Sequence, residues 1–357
     1  MRNGAYSCQR SSLIRGPGTL TFRPLAQAPN IWREAVASCP RATLYHSVEW
    51  LELLHRAYKL SFELAILARN GQVQAACIFA RSRNPLARQL VSLRFSDCCV
   101  PLATDDEAAH RLLDMIAGNG AGANRWEVRG FPARAPWETV ACFQNWELDL
   151  ARSFTAVERE AHGNFRRAAK RARSAGIRVE RGSEMGLMRR FYSMHLETRR
   201  RLGVPVQPSR FFELSREIFA PRDAFEVWLA VDGGRDAAGL ILLRYRDRLY
   251  YKWGARPVNG SLNASHLLLW SVIEEFSGRA RVLDCGRTDR RNEGLVRFKR
   301  HLGARPVALP YSYFPKAPKN VSAEISAGMQ KLAAHVWRRL PLTLTRVLSS
   351  ALYSLFS

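Results

Sequence analysis

The sequence predicts a mixed α/β fold built from two similar halves and followed by a helical tail. The first observation is an internal repeat, in which residues 62–83 (FELAILARNGQVQAACIFARSR) align without gaps with residues 225–246 (FEVWLAVDGGRDAAGLILLRYR). Each copy has two β-rich apolar runs around a glycine, Gly71 or Gly234, which is typical of a β-hairpin. The second observation is that the elements flanking the two copies match in type and order.

An amphipathic helix precedes each predicted hairpin, and a strand ending in glycine follows it. The helices are predicted at residues 47–58 and 210–219, where apolar side chains recur at helical spacing. The strands are predicted at residues 126–130 (WEVRG) and 282–286 (VLDCG). Any two hairpins share some pattern, so the interpretation as a duplicated unit depends on these matching flanks.

The predicted halves cover residues 19–150 and 151–318, after an N-terminal tail of residues 1–18. The first half closes with a strand at residues 146–150. The second half opens with a long helix at residues 156–174, which ends at a glycine that can adopt a C-cap conformation. This boundary therefore falls where a predicted strand gives way to a predicted helix.

The opening helix of the second half carries a run of basic side chains. They are Arg159, Arg166, Arg167, Lys170, Arg171 and Arg173. The default interpretation of such a run is a helix face exposed to solvent. The more specific alternative is a surface that binds phosphate or tRNA.

Residues 319–357 form a basic, amphipathic helical tail in this interpretation. Apolar side chains recur at helical spacing on both sides of Pro341: Ile325, Met329, Leu332 and Val336, then Val347, Leu348, Leu352 and Leu355. Trp337 adjoins Arg338 and Arg339, an aromatic and basic grouping that suits a membrane interface. Packing onto the body is the favoured role, and peripheral contact with the inner face of the cytoplasmic membrane is the alternative.

The chain of 357 residues carries a formal charge of +24 and has a pI near 10.7. Such a charge favours anionic partners, although a genome that favours Arg and Ala codons would produce the same bias. The seven cysteines show neither disulfide-framework nor zinc spacing, so no metal is predicted. No signal-peptide or membrane-spanning run is evident, and the sequence predicts a cytoplasmic location.

No GxSxG, HExxH, Walker or Rossmann motif occurs in the sequence. The stretch with the highest density of polar candidate residues extends from Tyr250 to Lys299. A strand at residues 249–254 (LYYKWG) leads through a Gly/Ser/Asn loop into a helix predicted at residues 266–276. Free backbone N–H groups at such a helix start can bind phosphate or an oxyanion. The candidate binding residues here are Trp253, Asn263, Ser265 and His266, while an N-cap role stays open for Asn263 and Ser265.

A second group of candidates follows in DCGRTDRRN and in a short helix at residues 293–301. The predicted catalytic residues are Lys252, Asp284 and Asp289. The two aspartates are candidates because a carboxylate at a strand end can orient or deprotonate an amine. The predicted phosphate-binding residues are Arg287, Asn292 and Lys299. An ion-paired loop, in which Asp284 and Asp289 simply flank Arg287, is the competing interpretation.

These segments resemble a known family. YYKWGA, LNASHLLLW, VLDCGRTDRRNEGLVRFKRHLGA and HGNFRRAAKRARSAGI look like the FemAB-like and related acetyltransferase group within the GNAT superfamily. The resemblance covers most of residues 45–315 and is most specific over residues 250–303. It implies two tandem GNAT-like domains, and the lysine of the family's GLxxFK element, which contacts the phosphate-bearing substrate or donor, corresponds to Lys299.

The resemblance also implies transfer of an acyl group from acyl-CoA or a similar thioester to an amine, on a cell-surface polysaccharide or lipid-linked precursor. The acyl-CoA signature RxxGxG of simpler GNAT enzymes has no clean match. The first alternative is a peptidoglycan ligase that uses aminoacyl-tRNA, although the helical arm common in such ligases is not evident. The second alternative is a basic protein that binds nucleic acid or membrane without catalysis.

Overall fold

The computed structural model describes residues 18–81, 88–119, 123–319, 321 and 334–355. Its strands form one mixed sheet that runs through both halves. The strands are β1 (Thr19–Pro24), β2 (Phe62–Arg69), β3 (Gln72–Arg81), β4 (Gln89–Val91), β5 (Leu102–Ala103), β6 (Arg125–Arg129), β7 (Glu138–Asp149), β8 (Arg178–Gly182), β9 (Phe225–Asp232), β10 (Arg235–Tyr245), β11 (Arg248–Ala255), β12 (Val282–Asp284), β13 (Thr288–Asp289) and β14 (Arg305–Phe314). The helices are α1 (Pro29–Ser38), α2 (Val48–Tyr58), α3 (Asp106–Asn119), α4 (Phe154–Glu160), α5 (Gly163–Ser174), α6 (Met185–Leu202), α7 (Ser209–Phe219), α8 (Leu262–Phe276), α9 (Glu293–His301) and α10 (Leu342–Leu355).

The strand order shows an internal symmetry that confirms the predicted mixed α/β fold of two similar halves. The order is β1-β2-β3-β4-β6-β14-β7-β12-β11-β10-β9-β8. From β2 to β6 the neighbours pair antiparallel, antiparallel and then parallel, and β9 to β12 repeat this sequence of pairings. Both halves therefore contain one parallel pair, β4 with β6 and β11 with β12.

The two halves exchange their inner strands. β7 precedes the predicted boundary at residues 150/151, yet it pairs with β12 of the second half. β14 comes from the end of the second half and pairs with β6 of the first. The two exchanged strands also pair with each other, which makes the sheet continuous. The domain limits drawn along the sequence remain a prediction, and in space each half is completed by a strand from the other.

The repeated hairpins are confirmed by β2–β3 and β9–β10. Both turns need positive φ at two positions, which are Asn70 and Gly71 in the first copy and Gly233 and Gly234 in the second. A two-residue hairpin loop with positive φ at both positions matches the right-handed twist of the strands. Gly71 and Gly234, which occupy equivalent places in the repeat, thus both allow the positive φ that the turn requires.

Helices cover both faces of the sheet. α1, α2, α6 and α7 pack with one face in a core that draws residues from both halves. α4, α5 and α8 cover the other face of the second half, and α3 covers the corresponding face of the first. Almost fully buried tryptophans lie in these cores. Trp32 and Trp50 belong to the core shared by both halves, Trp146 to the core beneath α4, α5 and α8, and Trp126 to the core beneath α3.

Three predicted elements differ from the structure. The single helix expected at residues 156–174 is two helices, α4 and α5, separated at Ala161 and His162. The strand expected at residues 146–150 is the last part of β7, and the helix expected from His266 begins at Leu262. In the tail, Ile325, Met329 and Leu332 lie outside the described residues, as does the N-terminal tail apart from Gly18. Within the described ranges, no helix combines the length and apolarity needed to cross a membrane.

Candidate active site

The candidate site lies where the parallel strands β11 and β12 part. Their pairing covers Arg248–Tyr250 and Val282–Asp284 and then stops. Beyond it, the chain after β12 turns at Gly286, which has a φ of +77°, while β11 continues along β10. Such a separation leaves backbone groups at the inner edges of the two strands without ladder partners. An extended ligand can therefore enter between them.

Asp284 occupies the end of β12 at this point, and its carboxylate is almost fully buried. The Gly286 N–H donates to Asp284 Oδ1 at 2.7 Å, and the Asn145 Nδ2 donates to Oδ2 at 3.0 Å. Burial raises the pKa of Asp284 to about 6, against the lowering effect of these two hydrogen bonds. A carboxylate with a pKa near neutrality can both accept and return a proton, as a general base requires.

Lys252 is held by two side chains of the first half. Its Nζ lies 2.9 Å from Asp97 Oδ2 and 3.0 Å from the Tyr45 hydroxyl, which itself donates to Asp97 Oδ2 at 2.7 Å. Burial disfavours the charged form of Asp97, but the cations Lys252 and Arg287 outweigh it, so the pKa of Asp97 is well below its usual range. Lys252 therefore forms an ion pair between the halves, two residues beyond the last position of β11 that pairs with β12.

Arg287 connects the same cluster to the exchanged strands. Its guanidinium lies 4.4 Å from the centre of the Phe143 ring on β7 and donates to the Tyr311 hydroxyl on β14 at 2.9 Å. That hydroxyl in turn donates to the backbone oxygen of Asp97 at 2.8 Å. The guanidinium Nε is 4.0 Å from Asp97 Oδ1, and the side chain is 29% exposed. Arg287 thus has one side in the cluster and one toward solvent.

Lys299 lies beneath the loop that follows β12. Its buried Nζ donates to the Gly286 oxygen at 2.7 Å, to Thr288 Oγ1 at 2.7 Å and to the Arg287 oxygen at 3.4 Å. Burial lowers the pKa of this ammonium. An ammonium has three N–H donors, and these three contacts use them. In this arrangement Lys299 shapes the turn beside Asp284, and its predicted contact with a phosphate stays a prediction.

Asp289 and Asn292 have local partners at the edge of the site. Asp289 accepts hydrogen bonds from the backbone and the guanidinium of Arg291 at 2.9–3.2 Å. Asn292 is the N-cap of α9 and accepts from the Leu295 N–H at 3.1 Å. The competing interpretation was an ion-paired loop in which Asp284 and Asp289 flank Arg287. In the structure Asp289 pairs with Arg291, and Arg287 lies 4.0 Å from Asp97.

The remaining predicted residues lie apart from Asp284. Trp253 packs edge-on against Phe211 and Phe212 in the shared core. The N-cap of α8 is Ser261, so the alternative that Asn263 or Ser265 caps this helix is wrong. The His266 ring lies 4.5 Å from Phe165 with Nδ1 2.7 Å from the Leu262 oxygen, and burial lowers its pKa.

Two cavities adjoin the parting strands. One of about 210 Å³ lies on the α8 side and is lined by Thr198, Arg201, Tyr251, Gly254, Arg256, Ser265 and Phe298 among others. The other, of about 700 Å³, lies between the halves near the start of β11, and its charged lining residues are Arg41, Asp106, Glu147, Arg246, Asp247, Arg248 and Arg281. Ser265 is the one predicted site residue that lines the first cavity. Asp284 itself lines neither cavity.

Sequence reasoning missed the residues that complete the cluster: Tyr45, Asp97, Asn145 and Tyr311. Three of them come from the first half, where no polar motif stood out. Asn145, for example, reaches Asp284 because its strand β7 pairs with β12, and such a distant pairing leaves no local pattern in the sequence. Among the described residues, no grouping of His, Cys, Asp and Glu is suited to hold a metal ion.

Comparison with known families decides the class of the second half. Residues 159–300 match the acetyltransferase (GNAT) domain family. Residues 159–300 thus form a GNAT-type acetyltransferase domain. The chain is accordingly an acyltransferase, and the resemblance to FemAB-like GNAT proteins is confirmed. A comparison with curated proteins gave no match.

Solved structures share the tandem GNAT fold over most of the chain. FemX is 13% identical with a TM-score of 0.57, covering 78% of this chain and 94% of its own. The C-terminal domain of a putative lysylphosphatidylglycerol synthetase from Agrobacterium fabrum is 12% identical with a TM-score of 0.53, covering 85% and 95%. A tandem GNAT protein from the clavulanic acid biosynthesis pathway is 11% identical with a TM-score of 0.51, covering 84% and 100%. At these identities the likeness concerns the fold alone.

Proposed function

We propose that the protein transfers an acyl group from acyl-CoA, or a similar thioester, to an amino group of a cell-surface polysaccharide or lipid-linked precursor. The observation that carries the proposal is Asp284, a buried carboxylate with a pKa of about 6, at the point where the parallel strands of the GNAT domain part. A base of this strength suits an amine nucleophile, which must lose a proton as the amide forms.

In the proposed reaction, the amine nitrogen attacks the thioester carbonyl, a C–N bond forms and the C–S bond breaks. Asp284 takes the proton from the attacking nitrogen, and the thiolate leaves with a proton from solvent. Backbone N–H groups at the parted strands would stabilise the developing oxyanion. Asn145 keeps the carboxylate oriented, while Lys252 and Arg287 are positioned by Asp97. Holding the reactants together supplies much of the rate in such direct transfers.

The smaller cavity is the proposed donor site. It lies beside the loop at residues 256–261 and the start of α8, where helix N–H groups and the guanidinium groups of Arg201 and Arg256 favour anionic phosphate. Its inner wall includes apolar side chains such as Leu268 and Leu269, which suit the acyl and pantetheine portions of a thioester. The residues present therefore fit an acyl-CoA donor.

The larger cavity is the proposed acceptor site, because it opens between the halves on the other side of the strand pair. Its lining mixes four arginines with three carboxylates, among them Arg248 and Glu147, which form an ion pair. Charged and polar walls of both signs suit a hydroxyl-rich acceptor that also carries an amine. The cytoplasmic location predicted from the sequence belongs to the same proposal.

Donor binding gives a direct test. We expect acyl-CoA at about a hundredfold excess over its dissociation constant to raise the melting temperature by about 3–5 °C. Ser265→Phe should remove this rise, since the ring would occupy the smaller cavity. Ser174→Phe, at the exposed end of α5, is the matched control and should keep it. A wild-type protein that no acyl-CoA stabilises would contradict the proposed donor.

A second candidate donor is aminoacyl-tRNA, favoured by the exposed face of α5. Arg166, Lys170 and Arg171 are exposed there, and no carboxylate contacts them among the described residues. Arg173 differs, because it pairs with Glu274. Stabilisation by charged tRNA instead of acyl-CoA, with affinity that falls steeply as salt rises, would favour this candidate. The non-catalytic alternative is disfavoured by the match to an acetyltransferase domain.

A further inference from the structure

The last helix, α10, turns its polar side inward and its apolar side outward. Thr345 and Ser349 are fully buried against the body. Each hydroxyl bonds within the helix, and Ser349 Oγ also accepts the Val206 N–H at 3.1 Å. Leu344, Val347 and Leu348 are 49%, 61% and 42% exposed. A helix that serves only to complete a core would have the opposite polarity.

The outward apolar side chains form one stripe. On a helix with 3.6 residues per turn, Leu344, Val347 and Leu348 occupy adjacent positions on one face. Arg346 and Thr343 lie beside this stripe and are exposed as well. The inward side is firmly seated, since Tyr353 stacks on Tyr58 with ring centres 5.7 Å apart. The apolar stripe is therefore a fixed feature of the folded surface.

The tail segment that carries the stripe is basic in sequence. After Glu324 the sequence contains no Asp or Glu, but it contains Lys331, Arg338, Arg339 and Arg346. Arg338 donates to the Arg201 oxygen at 3.2 Å, which joins the tail to α6, where Leu202 is 54% exposed. An exposed apolar stripe in a segment whose charged side chains are all basic matches a helix that lies in the interface of an anionic bilayer.

A second copy of the chain fits this surface less well. Dimers of identical subunits usually form around a two-fold axis, so the same patch would face itself. Arg339 and Arg346 of one copy would then approach the same arginines of the other, and like charges at close range repel. A phosphate-rich lipid surface compensates the same charges and also accepts the apolar side chains.

From these observations we infer that α10 and the adjoining residues 334–340 form a docking surface for an anionic lipid bilayer. The helix lies parallel to the bilayer plane, with Leu344, Val347 and Leu348 among the acyl chains and the arginines at the phosphates. The surface adjoins the smaller cavity through Arg201, which lines that cavity and whose backbone oxygen accepts a hydrogen bond from Arg338 at 3.2 Å. Docking would thus hold the enzyme with its donor side close to the membrane.

Co-sedimentation of the full chain with lipid vesicles tests this surface. We expect binding to vesicles that contain about 30% phosphatidylglycerol, weak binding to pure phosphatidylcholine, and loss of binding as salt rises. Val347→Gln with Leu348→Gln should lower the partition coefficient at least about tenfold. Val73→Gln with Val307→Gln, which changes two exposed valines on strands, is the matched control and should bind like wild type. Arg339→Gln with Arg346→Gln should reduce the salt dependence.

Three outcomes would overturn the inference. The first is equal binding to anionic and neutral vesicles, or none to either. The second is unchanged binding by the Val347/Leu348 variant when its melting temperature equals that of wild type. The third is a concentration-dependent dimer in sedimentation velocity that this variant abolishes, since the stripe would then contact a second copy. None of these outcomes depends on acyl transfer, so the surface and the enzymatic proposal are tested separately.

Discussion

Replacing Asp284 by asparagine is expected to lower the rate of acyl transfer by about a hundredfold or more, the usual contribution of a general base. Asparagine preserves the shape of the side chain, and its Oδ1 can still accept the hydrogen bond from the Gly286 N–H. Its Nδ2 can donate to Asn145 Oδ1 once that amide turns over, but the side chain cannot accept a proton from the amine. The measurement is kcat/KM with acyl-CoA and a simple amine acceptor. The matched control is Asp149→Asn, an exposed aspartate on the neighbouring strand β7, which should retain nearly full activity.

The pH dependence separates a base from a structural carboxylate. The pKa of Asp284 is about 6 in the folded protein, so wild-type kcat/KM should rise as pH increases through about 6, and the residual activity of the asparagine variant should lack this rise.

Stability should respond to pH in the opposite direction. Because the folded pKa is raised above the usual value for aspartate, ionisation of Asp284 costs folding free energy as pH rises from about 4 through 6. The stability of the variant relative to wild type should therefore increase over that range, measured by urea unfolding. Equal rates and identical pH profiles for the two proteins would exclude Asp284 as the base.

Local sequence patterns predicted the parts of the fold that depend on local interactions. The hairpins follow from turn residues with positive φ and alternating apolar runs, and α9 has the predicted limits of residues 293–301. The break between α4 and α5 was missed because its cause is distant in sequence. The His162 N–H donates to the His301 oxygen at 2.9 Å, and the two rings stack 4.2 Å apart. A contact between residues so far apart leaves no periodic signal.

The same reason limits the prediction of the site. Lys252, Asp284, Arg287 and Lys299 stood out because they lie in one short polar stretch with a family resemblance. Asp97 is in an irregular loop, and its importance comes from an ion pair with a residue 155 positions away. The exchange of β7 and β14 is likewise a property of the assembled sheet. What sequence reasoning could not supply was therefore the contribution of the first half to the candidate site.

That contribution can be measured by replacing Asp97 with alanine. We expect the free energy of unfolding to fall by about 3 kcal/mol, because Lys252 and Arg287 would keep their charges in a partly buried cluster without the carboxylate. The value belongs at the lower end for buried ion pairs, since the Asp97 side chain is 23% exposed and the Lys252 side chain 10%. Equilibrium unfolding in urea, followed by tryptophan fluorescence, gives the difference directly.

A double-mutant cycle shows whether the loss comes from the ion pair itself. Adding Lys252→Met to Asp97→Ala should restore part of the lost stability, because methionine removes the ammonium group that Asp97→Ala leaves without its carboxylate. The same double variant should still transfer acyl groups more slowly than wild type, since Arg287 and the loop after β12 would have lost the partner that positions them. If Asp97→Ala unfolds like wild type, the first half does not stabilise the candidate site through this residue. If stability falls and the double variant recovers both stability and rate, the cluster joins the halves without positioning the catalytic groups.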